Sequence, residues 1–323
     1  MKISIIIPVY FNEMNLIDLY EDLNSKVFSK LECEYEVVMI DDDSKDSSYE
    51  IMKQLAEKDC HIFPYRLSRN FGSHAAILCG LEKCTGDCAV IKAADLEEPS
   101  ELVLDMMEKW KEGYNVVLAT REDREGKKKD IFFANMYYRI VRKLALKNMP
   151  LNGFDVYLLD RQVIDVLTSL EERNSALTGQ ILWCGFHTAE VGYTKKTREK
   201  GVSQWTIAKK IRLVTNTLFS FSTVPIRAIE VLGVLSFVAS IIISIVEVIA
   251  KLSGHIPVAG WTGLFIFELM SFGIMMTAIG VVGEYIWRNF DASRGRPVFI
   301  VEQDRDKASV EEAAHTDGVN TVE

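Results

Sequence analysis

Apolar positions along this chain fall into two regimes. Up to residue 204, short apolar runs alternate with stretches of helical periodicity. Ile3–Val9 reads as a strand and Met14–Phe28 as a helix. Tyr35–Ile40 predicts a second strand, which runs into Asp41, Asp42 and Asp43, and Tyr49–Lys58 a second helix. Ile62–Leu67 predicts a strand, Ala75–Lys83 a helix, and Cys88–Ile91 a strand ending before Asp95. Ser100–Lys111 follows as a helix and Val116–Ala119 as a strand. Strands alternating with helices imply βαβ units, so the expected fold class is α/β with a Rossmann-like, mostly parallel sheet.

The second regime is near the C-terminus. Ala228–Ala250 and Trp261–Ile286 are apolar and nearly uncharged. Each exceeds the roughly 20 residues that cross a ~30 Å bilayer core as a helix. Lys209, Lys210, Arg212 and Arg227 precede the first stretch, and Arg288, Arg294 and Arg296 follow the second. The intervening Lys251–Gly260 holds one lysine and one histidine. The positive-inside rule then predicts a two-span hairpin with both flanks in the cytoplasm of a plasma (inner) membrane. Four glutamates, Glu230, Glu247, Glu268 and Glu284, fall within or beside the spans. They fit headgroup placement or helix–helix contact in a homo-oligomer. Between the two regimes, Ile207, Ile211, Val214, Leu218 and Phe221 recur at helical spacing among basic residues, as in a helix lying in a membrane interface. The expected organisation is a soluble domain over 1–204, interfacial helices over 205–227, a hairpin over 228–290 and a tail over 291–323.

Charge and cysteines narrow the options. The formal net charge of -9 argues against a nucleic-acid partner. Part of it lies in an acidic tail after Val301 with no apolar periodicity, which is expected to be disordered. The six cysteines form no CxxC pair and several sit in apolar runs, so free, buried thiols are expected. The run after Met1–Lys2 ends at Pro8 and is too short to span, so it reads as a buried strand rather than a leader.

Polar residues collect where the strands end. Pro8–Val9–Tyr10 closes the first strand, Asp41–Ser44 the second, Asp95–Pro99 the fourth and Thr120–Arg121 the fifth. In open α/β sheets ligands bind beyond the carboxyl ends of strands. Asp43 and Ser44 also suit a helix cap, and Glu97 and Glu98 suit a solvated turn before a helix. No GxGxxG follows the first strand and no GxxxxGK[ST] occurs, which disfavours a dinucleotide-binding domain and a P-loop. Carboxylates such as Asp95 and Glu97 offer the hard oxygen ligands that Mg²⁺ or Mn²⁺ takes, and such an ion neutralises a diphosphate leaving group.

These motifs resemble those of family 2 glycosyltransferases of the GT-A fold. The resemblance is strongest to the polyprenyl-phosphate type, which includes dolichyl-phosphate mannose synthases and bactoprenol glucosyltransferases. It is carried by Ile6–Tyr10, Asp41–Asp46, Arg69–Gly72, Ala75–Gly80, Gly86–Asp87, Asp95–Pro99, the two apolar spans and Gly283–Ile286. It implies inverting transfer of a sugar from a nucleotide sugar, UDP-glucose by default, to a polyprenyl phosphate such as undecaprenyl phosphate. It implies that Pro8, Tyr10, Asn12, Glu13, Asp41, Asp42, Ala94 and Asp95 line the nucleotide-sugar site, and that Asp95 and Glu97 hold the metal. Asp95, Arg121 and Asp155 would carry catalysis, and Arg121, Lys128, Lys129 and Arg198 the acceptor phosphate. A lipid phosphate is already ionised near neutral pH, so positioning and charge neutralisation would supply most of the rate.

The chain departs from the family pattern in four places. Ala93 stands where the first acidic residue of a DxD pair is usual. Val156–Tyr157 replaces Phe-Arg, and Ser203–Gln204–Trp205 replaces Ser-Lys-Trp. Phe11–Asn12–Glu13 replaces Asn-Glu-Glu. Two rival readings follow. A processive polysaccharide synthase would usually carry QxxRW and more spans, whereas this chain has Gln180–Ile181–Leu182–Trp183. A non-catalytic membrane adaptor that binds nucleotide sugar draws its support from Ala93.

Overall fold

The computed structural model of the protein describes residues 1–121, 136, 138–170, 172, 175–195, 207–253 and 261–302. The isoleucine-rich run near the N-terminus forms β1 (Lys2–Val9), buried on both faces as a central parallel strand requires. It is followed by α1 (Leu16–Lys26), β2 (Glu34–Asp41), α2 (Ser48–Lys58), β3 (Ile62–Arg66), α3 (Ser73–Lys83), β4 (Cys88–Ile91), α4 (Leu102–Lys111) and β5 (Val116–Arg121). Every strand and helix read from the pattern up to β5 is present. Two further strands, β6 (Phe154–Asp160) and β7 (Thr188–Tyr193), and two short helices, α5 (Arg161–Ser169) and α6 (Leu177–Trp183), follow.

The sheet order is β3-β2-β1-β4-β6-β5-β7. β1, β2, β3 and β4 are mutually parallel, and β5 is parallel to β7. β6 runs antiparallel to both β4 and β5. Strand alternation divides the core. Ile3, Ile5, Ile7 and Val9 face α1, α2 and α4, whereas Ile6, Val38 and Ile40 face α3, α5 and α6. Gly80 lets α3 close on β1, because a Cβ there would lie 2.3 Å from Ile6 Cγ2.

Two long helices follow α7 (Ile207–Phe221): α8 (Val224–Leu252) and α9 (Trp261–Ser293). At 29 and 33 residues they are roughly 43 and 50 Å long at 1.5 Å per residue. Both are long and apolar enough to cross a bilayer, and their most apolar windows are unburied. α7 docks on the α/β layers through Phe221, which lies against Gly179 of α6. It also meets α9, where Arg288 donates to Asn216 Oδ1 at 3.1 Å and Ser220 Oγ at 3.3 Å and pairs with Glu284 at 2.8 Å. Beyond α9 the chain returns to the sheet. Val301 bridges Leu67, Ser68 N–H donates to Ile300 at 2.9 Å and Glu302 N–H to Arg66 at 2.8 Å. The acidic tail read as disordered lies, from 303 onward, outside the described residues, as does most of the loop between the long helices.

The cysteines are all free. Cys79, Cys84 and Cys88 are buried, and burial pushes the Cys79 thiol up to about 12. Cys60 differs from the expectation in being exposed at the turn before β3.

One buried polar cluster pins the amino end of the sheet. Glu36 accepts from Ser4 Oγ at 2.6 Å, Thr85 N–H at 2.5 Å and Thr85 Oγ1 at 2.8 Å, and pairs with Lys2 at 2.6 Å. Burial alone would raise its pKa, but Lys2, Ser4 and Thr85 outweigh burial and hold it at about 2. A depressed carboxylate pKa stabilises the fold above its ordinary value of 4.5, and that contribution is lost as pH falls toward about 2. Glu36→Gln should therefore destabilise the protein by about 3 kcal/mol at neutral pH. In thermal melts at a series of pH values, the gap to wild type should narrow between pH 4.5 and about 2.

Candidate active site

Parallel strands bring the residues after β1, β2, β4, β5 and β7 to one edge. Three residues other than glycine have positive φ among the described residues, and all lie in these loops: Phe11 after β1, Asp43 after β2 and Leu96 after β4. Backbone held in this region costs energy and concentrates at functional sites.

The β1 and β2 loops are knitted together. Ser44 Oγ accepts from Phe11 N–H and Ser48 Oγ from Asn12 N–H, both at 3.0 Å. Asn12 Oδ1 turns back to Tyr10 N–H at 3.1 Å. Glu13 Oε2 accepts from Ser47 N–H at 2.9 Å and Asp46 Oδ1 from Ser48 N–H at 3.1 Å. The start of α2 is thus served by Glu13 and Asp46, not by Asp43 or Ser44. Pro8 and Tyr10 lie half-buried at the same strand end.

Asp41 is fully buried, accepts from Ser44 N–H at 3.2 Å and lies 3.4 Å from Arg66 Nε. Burial raises its pKa, against the pull of Ser44 and Arg66. Asp42, also buried, accepts from Phe71 N–H at 2.7 Å and Gly72 N–H at 2.8 Å. Burial raises its pKa as well. Asp42 therefore clamps the Arg69–Gly72 loop to β2, where Gly72 at φ +98° starts α3. Asp43 pairs with Lys45 at 2.7 Å and Arg66 at 3.4 Å, and these cations lower its pKa, the Lys45 contact most.

The turn after β4 is compact. Lys92 is buried and donates to the Glu98 carbonyl at 2.9 Å. Ala94 is buried at the start of the turn. Asp95 Oδ1 accepts from Glu97 N–H at 3.3 Å. Carboxylate oxygens of Asp95, Glu97 and Glu98 lie within 4.8 Å of one another. Close hard oxygens of this kind fit a Mg²⁺ or Mn²⁺ ion. Glu98 differs from the solvated residue expected, because it is buried.

On the far side, Arg121 at the end of β5 pairs with Asp155 at the start of β6. Arg121 Nε donates to Tyr193 Oη at 3.3 Å, and Asn152 Nδ2 donates to the Arg121 carbonyl at 2.8 Å. Tyr193 is buried at the end of β7, and burial raises its pKa. Two residues on, Lys195 contacts Glu97. The end of β7 thus joins the β4 turn to the Arg121–Asp155 pair. An open cleft lined by Thr120, Arg142, Asn152 and Glu190 flanks this pair.

The structure brings Asp41, Asp42, Asp95, Glu97, Arg121 and Asp155 to a shared edge. Lys128, Lys129, Arg198 and the Ser203–Trp205 element lie outside the described residues. Sequence reasoning missed Arg66, Tyr193 and Lys195. Arg66 lies one residue before the end of the Ile62–Leu67 run already read as a strand, so its place near the edge was available. Tyr193 and Lys195 follow β7, whose alternating burial went unread.

Comparison with known proteins identifies the family and the fold. The family model described as Glycosyl transferase family 2 matches residues 4–168. The chain is 33% identical over 304 residues to the uncharacterized glycosyltransferase YkcC of Bacillus subtilis, across 93% of each chain. It is 33% identical over 311 residues to the bactoprenol glucosyl transferase of Shigella phage SfV, covering 95% of this chain and 100% of that one. The solved structure of glucosyl-3-phosphoglycerate synthase from Mycobacterium tuberculosis, in complex with Mn²⁺, UDP and phosphoglyceric acid, is similar in fold. Its TM-score is 0.50 at 17% identity, over 68% of this chain and 78% of that chain. The architecture is thus a GT-A-like α/β fold. The chain belongs to glycosyl transferase family 2 and is a glycosyltransferase.

Asp42 at this edge has a structural duty that can be isolated. Asp42→Ala leaves two amides without their acceptor and should lower stability by about 3 kcal/mol. Hydrogen exchange at Phe71 and Gly72 should accelerate ahead of the rest of α3. Unchanged exchange at both amides would contradict the clamp.

Proposed function

We propose that this chain is a membrane-anchored inverting glycosyltransferase that moves a sugar from a nucleotide donor to a polyprenyl phosphate. UDP-glucose is the default donor and undecaprenyl phosphate the default acceptor. The observation that carries this reading is the shared edge: Asp41, the Asp95–Glu98 turn and the Arg121–Asp155 pair emerge there together. Two apolar helices follow in the same chain. The name of the phage relative, a bactoprenol glucosyl transferase aligned over its full length, supports the same acceptor class.

In this reading the base and ribose lie beyond β1 and β2, against Pro8, Tyr10 and Asp41. Asn12, Glu13 and Asp42 shape the floor through their backbone contacts. A divalent cation held by Asp95 and Glu97 would neutralise the diphosphate as it leaves. An acceptor phosphate oxygen attacks C1 of the sugar from the face opposite the diphosphate. The new C1–O bond forms as the bond to the diphosphate breaks, so the configuration at C1 inverts. Arg121 presents its guanidinium to the acceptor phosphate, since a planar fork matches phosphate oxygens. Asp155 orients that fork by pairing with it. Lys128, Lys129 and Arg198 add positive charge on the acceptor side.

The proposed organisation keeps a catalytic domain over 1–204, an interfacial element over 205–227, a hairpin over 228–290 and a tail over 291–323. Basic flanks on both ends of the hairpin support a cytoplasmic catalytic domain and cytoplasmic termini. The return of residues 298–302 to β3 fits both ends lying on one side.

Purified protein in detergent, given radiolabelled nucleotide sugars and a short-chain polyprenyl phosphate, should form a lipid-linked monosaccharide with UDP-glucose. A polymeric product would favour a polysaccharide synthase. Nucleotide binding without turnover of any donor in the panel would favour the adaptor. Asp95→Ala and Arg121→Ala should each lower the transfer rate about 100-fold. The two should differ in binding, with calorimetry showing weaker UDP–Mn²⁺ affinity for Asp95→Ala and unchanged affinity for Arg121→Ala.

A further inference from the structure

The carboxylates of the β4 turn already face a cation. Lys195 sets its ammonium on the Glu97 carboxylate and 3.9 Å from Glu98 Oε1. Glu98 is 3% exposed, and its Oε2 has no hydrogen-bond partner among the described residues. A buried carboxylate oxygen without a donor is rare and unfavourable, and a cation is the natural complement. One oxygen of Glu98 lies within 4.8 Å of ligand oxygens of both Asp95 and Glu97. The turn gathers three carboxylates against two ammonium groups, Lys195 on Glu97 and Glu98 and the buried Lys92 on the Glu98 carbonyl. Lys195 itself is 28% exposed on a flexible stem, so its head can leave for solvent or for a phosphate. A divalent ion and an ammonium cannot both occupy the space between these oxygens without strong repulsion.

We propose that Lys195 is the resident counter-ion of a three-carboxylate cation site, that a divalent metal enters by displacing it, and that Glu98 serves as the third ligand. This rests on the reading of Asp95 and Glu97 as metal ligands and extends it. Glu98 then supplies the negative charge that Ala93 does not. Lys195 keeps the donor-free turn folded and sets a threshold for metal entry. The donor diphosphate lowers that threshold, because it adds oxygens for the metal and offers the released ammonium a new partner. Tyr193, two residues earlier, anchors the same segment to Arg121, so the ammonium stays near the phosphates after it leaves Glu97.

The test is Mn²⁺ binding to the full chain in detergent, read from the free Mn²⁺ signal in electron paramagnetic resonance, with and without UDP. Lys195→Met and Lys195→Gln should bind Mn²⁺ about tenfold more tightly than wild type without UDP. Lys195→Arg, which retains the charge, should stay near wild type. Glu98→Gln should weaken Mn²⁺ binding, and should do so again in the Lys195→Met background, where no lysine competes. Unchanged or weaker binding in both neutral Lys195 variants would overturn the counter-ion role while leaving the metal reading intact. Unchanged binding in Glu98→Gln in both backgrounds would overturn the third ligand. Absence of Mn²⁺ binding in every protein, with UDP still bound, would overturn the metal reading itself and this inference with it.

Discussion

A single reversed strand governs how this site is assembled. β6 lies between β4 and β5 and runs against both. Its first residues therefore lie where its neighbours end. Asp155 reaches the edge from the start of a strand, while Asp41, Asp95 and Arg121 reach it from the ends of theirs. Were β6 parallel, Asp155 would sit a strand length away, and Arg121 would face the edge without its carboxylate. The insertion of β6 leaves β5 and β7 one place outward in the sheet, and the segment ending β7 touches both the β4 turn and Arg121.

Charge along this edge is largely paired. Several carboxylates face a cation delivered from another part of the sheet: Arg66 from β3 for Asp41 and Asp43, Lys195 after β7 for Glu97 and Glu98, Arg121 from β5 for Asp155, whereas Asp42 is held by backbone amides. Pairs of this kind hold a donor-free edge together and remain exchangeable where they are partly solvated. A phosphate arriving at such a pair competes with the carboxylate for the same donors. The proposed reaction, with a diphosphate leaving group and a phosphate nucleophile, would gain from cations already in place. The buried Glu36 cluster lies at the opposite end of β1 and β2 and is a structural counterpart, satisfied by Lys2, Ser4 and Thr85.

Much of this was legible in the residues. Apolar runs such as Ile3–Val9 and Cys88–Ile91 announce buried strands, and polar residues closing them announce a shared edge. Carboxylate chemistry and the resemblance together suggested Asp95 and Glu97 as metal ligands, and the resemblance alone suggested roles for Arg121 and Asp155. β6 and β7 were not read. Phe154–Asp160 alternates weakly, and nothing local in a strand reports whether its partners run with it or against it. That direction is decided by where the chain must return after β5, which is a tertiary constraint. The exposure of Glu97 and Glu98 was equally opaque. Both read as turn residues before a helix, and only the position of Lys195 and the closure of the turn bury Glu98. Asn12 and Glu13 show the converse, since residues read as ligand contacts also hold two loops together, Asn12 N–H on Ser48 Oγ and Glu13 Oε2 on Ser47 N–H.

The central claim is that the carboxyl edge of this sheet grips a metal-capped nucleotide diphosphate. The most direct measurement is a structure of the full chain with UDP and Mn²⁺, the ion located by its anomalous signal. The expected result is one manganese between the diphosphate and the Asp95–Glu98 turn, with the uridine beside Asp41 and Tyr10. Manganese at the Asp59–His61 group by the opposite edge, or a nucleotide bound away from β1 and β2, would contradict it.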